Sequence, residues 1–161
     1  MAQGKPSYAF FEGKIVPFED AKISVMTHAL NYGTGVFGGL RGYWNADEQQ
    51  LFVFRPHDHF ERFLQSASMM RIDLGYSPAE LVHILLELLR KEGFQENCYV
   101  RPLAYKSTEM IGVKLHDVDD ALTIFALPFG SYVNNKEDGL HVGFSSWRRV
   151  DDNAIPARGK V

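Results

Sequence analysis

Hydrophobic and polar positions change period twice along the chain. Near the start, YAFFEGKIVPF carries aromatic and β-branched residues on both sides of Glu12-Gly13. That composition predicts two short strands joined by a tight turn. AKISVM predicts a third strand, and GLRGYW and LFVFR predict two more around the polar turn NADEQQ. The period then lengthens. Pro56 suits the first turn of a helix, where its fixed φ and missing N–H cost nothing. Beyond it, Phe60, Phe63, Leu64, Ala67 and Met70 recur at helical spacing and define one buried stripe. A second helix is predicted from Ser77-Pro78, a capping side chain followed by proline, with Glu80 in the first turn. Leu81, Ile84, Leu85, Leu88 and Leu89 form its apolar face, and Gly93 marks its end. The short period returns in NCYVRPLAY and ALTIFALPF, separated by a polar loop from Val113 to Asp120.

Strands, then two consecutive helices, then strands imply an α+β two-layer domain rather than a doubly wound parallel sheet. This small domain is expected over residues 1–130. FGSYVNNKEDG, with two glycines and a polar cluster, predicts an interdomain linker over 131–138. Beyond it, LHVGFSSWRR predicts one more strand and DDNAIPARGKV a loop. Residues 139–161 are therefore expected to be the first strand and loop of a truncated large domain, since a lone strand has nothing to pack against.

Composition narrows the partners. Of 161 residues, 45% are hydrophobic and 23% charged, an ordinary globular balance. The net charge is -3 and no lysine- or arginine-rich block occurs, which argues against nucleic acid or an anionic membrane as partner. The apolar runs are too short to span a bilayer, and MAQGKPS does not resemble a secretory signal. A cytoplasmic protein is expected. The single cysteine, Cys98, excludes an internal disulfide and a cysteine-based metal cage. It lies in an apolar run and reads as a small core residue rather than a nucleophile. His28 has no HExxH-type partner, so it reads as a structural hydrogen-bonding group and no metal is expected.

Four segments carry candidate chemistry. HALNYGTGVFGGLRGY mixes five glycines with His28, Tyr32, Phe37, Arg41 and Tyr43. Such a segment is either an irregular loop or a place where backbone approaches a ligand between aromatic walls. It is not a nucleotide-phosphate loop, because neither GxGxxG nor GxxxxGK is present. Arg62, in RPHDHFERFLQSA, is either a solvated helix arginine or a two-pronged clamp on phosphate or carboxylate. In NCYVRPLAY, alternation puts Tyr99, Arg101 and Leu103 on one face and Val100, Pro102 and Ala104 on the other. Arg101 in so apolar a strand needs an ion-pair partner or a ligand, because burying it unpaired is costly. Lys160 alone reads as a solvated surface charge, although lysine forms Schiff bases where its amine is kept neutral.

In order along the chain, FEGKIVPFEDAKISVMTHALNYGTGVFGGLRGY, VFRPHDHFERFLQSA, YVRPLAY, FALPFGSYV and SSWRRVDDNAIPARGK resemble the class IV, D-amino-acid-transaminase-like pyridoxal-phosphate enzymes. Within them, the HALNYGTGVF block and the YVRPL strand resemble the branched-chain amino-acid aminotransferases. The resemblance implies pyridoxal 5'-phosphate as cofactor and amino-group transfer from leucine, isoleucine or valine to 2-oxoglutarate by a ping-pong route. It implies that Lys160 joins the cofactor aldehyde as a Schiff base and then moves the proton. Arg62 matches the arginine that grips the cofactor phosphate, and Tyr99 matches a tyrosine near the substrate carboxylate. Tyr32, Phe37 and Tyr132 match pocket aromatics, and Val113 matches a hydrophobic residue lent by a neighbouring subunit. Arg101 matches the arginine that meets the side-chain carboxylate of glutamate, and Gly39 and Arg41 lie in the matching glycine-rich block.

Amino-acid and 2-oxo-acid substrates and a homo-oligomer, a dimer or a dimer-based hexamer, are further implications. The family pattern VFEG is replaced here by Val36-Phe37-Gly38-Gly39, which removes a carboxylate. The family's second domain, with the acid that faces the pyridine nitrogen, would follow the lysine, so a chain ending at Val161 is expected to be inactive alone. The rivals are a D-amino-acid aminotransferase, an aminodeoxychorismate lyase and a non-catalytic oligomerising domain.

Overall fold

The computed structural model describes residues 4–130 and 139–160. The linker expected over 131–138, with Tyr132, lies outside the described residues.

A hairpin opens the sheet. Strands β1 (Tyr8–Phe11) and β2 (Lys14–Pro17) pair in antiparallel register around Glu12 and Gly13. Both turn residues have positive φ, 49° and 80°, the conformation that matches a two-residue turn to strand twist. β1 pairs on its other side with β7 (Asp120–Pro128), which runs antiparallel to β6 (Cys98–Lys106) through nine consecutive pairs. The far edge of β6 is shared by β3 (Gly35–Phe37) and β4 (Leu40–Asn45), and β4 pairs with β5 (Gln50–Val53). The order is β2-β1-β7-β6-β4-β5, with β3 beside β6.

Two helices cover one face. α2 (Pro56–Met69) buries Phe60, Phe63 and Ala67, with Leu64 and Met70 partly buried at its margin. α3 (Pro78–Glu92) starts in a capping box in which Ser77 and Glu80 satisfy each other's backbone N–H groups. It ends at Gly93 in the left-handed region, where a side chain would be strained. Leu81, Leu85 and Leu88 pack with Phe60 and Phe63 onto Val36, Leu40, Val100, Ala104 and Ile124 of the sheet. Cys98 is buried in this core, and burial pushes its thiol up to about 11, so it is protonated and inert at neutral pH. The result is the expected α+β arrangement: an antiparallel sheet with helices on one face. Among the described residues, no helix is long and apolar enough to cross a membrane.

Two predicted strands are absent. AKISVM forms none: a short 3-10 turn covers Phe18–Asp20, and residues 21–26 have no ladder partner. Both edges of β1 are already occupied, so an alternating pattern there has nowhere to bond. LHVGFSSWRR likewise forms no strand, and residues 139–150 are exposed throughout. Alternation assigns side chains to faces, but a strand also needs a neighbour for its backbone groups. Conversely, the glycine-rich segment is more ordered than expected. It holds the short helix α1 (His28–Tyr32), capped by left-handed Gly33, and strand β3.

A buried ion pair closes the end of the sheet. Lys106, 3% exposed, places its amine 2.8 Å from Asp120 and donates to the Arg71 carbonyl at 2.7 Å. Asp120 also accepts from the Asp73 N–H at 2.9 Å, so the turn after α2 is fastened to the sheet. Lys106→Ala would leave a buried carboxylate uncompensated, and unfolding by denaturant should show a loss of about 3–5 kcal/mol. A loss below about 1 kcal/mol would mean that water replaces the amine without penalty.

Candidate active site

The alternation of β6 creates two unlike faces. Val100, Pro102 and Ala104 are buried toward the helices, whereas Tyr99, Arg101 and Leu103 are half-buried on the opposite face. Across from them, β3 and β4 are interrupted at Gly38-Gly39. A Cβ on Gly39 would lie 2.6 Å from the Tyr99 hydroxyl, and one on Gly38 would lie 2.7 Å from Pro102 Cγ. Here the two glycines are required by close approach: the strand break is what lets Tyr99 lie against the backbone. The Gly38 N–H still donates to the Pro102 carbonyl at 2.9 Å. An acidic residue in place of Gly38 would force Pro102 to move.

Arg101 has no carboxylate partner among the described residues. Its Nε donates to the Tyr99 hydroxyl at 3.0 Å, and its guanidinium carbon lies 4.5 Å from the Phe37 ring centre and 5.2 Å from that of Tyr99. Of the two readings open from the sequence, an ion pair and a ligand, the first is therefore not met. The Lys160 amine lies 5.2 Å from the same Phe37 ring. Two cations thus share one aromatic ring, whose electron-rich faces attract both.

Lys160 reaches this ring because its backbone is held at both ends. Its N–H donates to Ser66 Oγ of α2 at 3.1 Å, and its carbonyl accepts from the Phe37 N–H of β3 at 3.3 Å. Arg62 lies one turn before Ser66 on α2. It is exposed, and its Nη2 lies 3.4 Å from His59 Nδ1. Burial first, and then the neighbouring Arg62 charge, hold His59 below the ordinary imidazole range, against the opposing pull of Asp58, with Arg55 and Lys160 adding to the depression. The imidazole therefore registers both Arg62 and Lys160. Cations that have no carboxylate partner among the described residues, one a planar fork, suit a phosphate group together with an aldehyde that an amine can attack.

The remaining predicted residues are distributed differently. Tyr32 accepts at its hydroxyl from the Gly112 N–H at 2.8 Å and stacks near His28. It thereby secures the loop that carries Val113, whose side chain is 79% exposed. Arg41 does not point its guanidinium at the Phe37 cluster. It donates to the carbonyls of Phe129 and Gly130 at 3.1 and 2.7 Å. His28 is fully buried with Nδ1 2.7 Å from Thr34 Oγ1, the structural role its surroundings in sequence implied. His59 and Ser66 were not singled out from sequence. The available signal was spacing: each lies within about one helical turn of Arg62 on α2.

Residues 35–161 match the family described as Amino-transferase class IV, and the chain belongs to that family. It is 46% identical over 154 residues to a probable branched-chain-amino-acid aminotransferase of Aquifex aeolicus (strain VF5), covering 96% of this chain and 49% of that relative. The crystal structure of the branched-chain aminotransferase from Thermoproteus uzoniensis with norvaline superimposes with a TM-score of 0.89 at 38% identity, over 97% of this chain and 51% of that one. The branched-chain amino acid aminotransferase from Thermobaculum terrenum in its PLP-form gives 0.83 at 28% identity, over 98% and 51%. The chain spans about half the length of the curated relatives it matches.

The depressed His59 titration has a measurable consequence. As pH falls through the imidazole range, the unfolded chain binds its proton before the folded chain does, so stability should fall. The melting midpoint compared between neutral pH and pH about 5 should drop less in His59→Gln than in the parent. Identical slopes in the two proteins would show that folding does not lower the His59 titration.

Proposed function

We propose that the protein carrying this chain is a pyridoxal-phosphate-dependent branched-chain amino-acid aminotransferase, and that Lys160, Arg62, Tyr99 and Arg101 belong to its active site. The observation that carries the reading is the Phe37 ring, flanked by the Lys160 amine and the Arg101 guanidinium. Sequence and fold likeness to branched-chain enzymes supports it, including neighbours crystallised with norvaline and in a PLP-form.

Bound pyridoxal phosphate supplies an aldehyde that condenses with amines and a ring that withdraws electrons from the adjoining carbon. The chain's own residues supply attachment, orientation and proton transfer. Lys160 Nζ would hold the cofactor through its aldehyde, and the same amine, freed when the substrate amine takes its place, would carry the proton removed from the substrate Cα. Arg62 holds the phosphate through its planar fork, and His59, kept neutral, offers Nδ1 to orient it. The Tyr99 hydroxyl, fixed by the Arg101 Nε–H, faces the substrate carboxylate. Phe37, Tyr32 and Tyr132 wall an aliphatic side chain, and Arg101 receives the second carboxylate of glutamate. One pocket thereby serves both halves of the reaction.

In this reading residues 1–130 form the small domain, 131–138 the linker, and 139–161 lead into a second domain that pairs with the alternating segment left unpaired here. The exposed Val113 loop, tied down by Tyr32, completes the pocket of a second copy in a homo-oligomer.

Lys160→Ala in the full-length protein should abolish the borohydride-reducible cofactor adduct and nearly all turnover. Survival of the adduct would move the assignment to another lysine. Arg101→Ala should weaken kcat/KM for glutamate by about 2–5 kcal/mol, the usual cost of stripping a desolvated carboxylate of its partner. Leucine should lose far less, and equal losses for the two substrates would refute the division of labour.

A further inference from the structure

Resting on the assignment of Lys160 to the cofactor, we propose that Ser66 is a positioning residue that sets where the Lys160 amine stands. Serine in the middle of a helix is a weak helix former, since its hydroxyl competes for backbone groups. Ser66 is 1% exposed, so its hydroxyl must be satisfied internally. It donates to the Arg62 carbonyl one turn back at 3.0 Å and accepts from the Lys160 N–H at 3.1 Å. A hydroxyl that donates is also a better acceptor, so the two bonds reinforce each other. One side chain therefore joins the turn bearing Arg62 to the backbone bearing Lys160.

The rest of the lysine loop offers little other polar anchorage. Residues 151–158 are exposed, and the loop's own hydrogen bonds, from the Ala154 and Ile155 N–H groups to the Asp151 carbonyl, from Ala157 N–H to the Asp152 carboxylate and from Gly159 N–H to the Pro156 carbonyl, hold its turns without tying it to the sheet or helices. Ala154, Ile155, Pro156 and Gly159 share with Met69 and Met70 the walls of a cavity of about 210 Å³, a loose apolar seat. Among the described residues, directional attachment of this loop to the sheet and helices comes at Lys160, from Ser66 on α2 and from Phe37 on β3. With the Ser66 bond gone, the lysine backbone would, among the described residues, keep only the Phe37 bond. Small displacements of a reacting group lower rates steeply, because orientation is part of the catalytic effect.

The experiment uses the full-length protein with Ser66→Ala and Ser66→Thr. Alanine favours the helix and removes only the hydroxyl, whereas threonine keeps it. In Ser66→Ala, hydrogen exchange of the Lys160 amide in the cofactor-free protein should accelerate by about five- to tenfold, the equilibrium factor of one typical net hydrogen bond. With cofactor bound, kcat should fall at least as much while KM changes little, and the pH at which the cofactor's visible absorbance titrates should shift. Ser66→Thr should restore exchange, kcat and the titration toward the parent. Unchanged exchange at Lys160 in Ser66→Ala would overturn the proposal. So would a general rise in exchange across α2 that threonine does not rescue, because Ser66 would then only pack. Persistence of the reducible adduct in Lys160→Ala is a separate result: it would overturn the lysine assignment itself, and the positioning role with it.

Discussion

The register of β6 is the constraint on which the site depends. This strand is paired along its whole length with β7 on one side and with β3 and β4 on the other. Side chains alternate, so locking Val100, Pro102 and Ala104 into the helix-covered core obliges Tyr99, Arg101 and Leu103 to face the other way. A slip of one residue would exchange the two sets and put an arginine among leucines. The hydrophobic core and the chemistry are therefore specified by the same hydrogen-bond ladder, read on opposite faces. The Gly38-Gly39 break completes the arrangement by opening room for Tyr99 at the one place where β6 lacks a continuous neighbour.

Charge placement follows a consistent division. Lys106 is deeply buried and fully compensated by Asp120 and backbone carbonyls, and Arg41 is engaged by two carbonyls at the end of β7. Arg101 and Lys160 lie against the Phe37 ring and Arg62 against His59, and among the described residues none of the three has a carboxylate partner. Aromatic faces and a neutral imidazole hold cations in place without neutralising them. Such groups remain available to an anion in a way that Lys106 is not.

Much of this was legible in the sequence, and the failures share a cause. The hairpin turn, both long helices, the start of α2 at Pro56, the caps of α3 and the two faces of β6 follow from rules local to a few residues, and the structure has each of them. AKISVM and LHVGFSSWRR alternate as strands do, but forming a strand depends on a partner elsewhere, which no local pattern reports. α1 and β3 were hidden because glycines mask the periodicity of a short element. The convergence of Phe37, Arg101 and Lys160 came from resemblance in sequence, since residues so far apart share no spacing. Ser66 and His59 escaped because a serine and a histidine on an amphipathic helix look like ordinary polar positions until tertiary contacts reveal their partners. The guanidinium of Arg41 likewise turns to carbonyls that its own segment could not announce.

The two attachments at Gly130 and Lys160 bear on how such a protein tolerates change in length. Arg41 fixes the chain at the end of β7, and Ser66 with Phe37 fixes it again at Lys160. Both points belong to the same helix-and-sheet unit. Closure entropy grows only with the logarithm of loop length, so even doubling a flexible loop costs only about 0.6 kcal/mol. Added residues in the exposed turn at 151–153 would therefore cost little in closure while Ser66 and Phe37 still hold the lysine backbone. Length in that turn and placement of the lysine backbone are thus set by separate contacts.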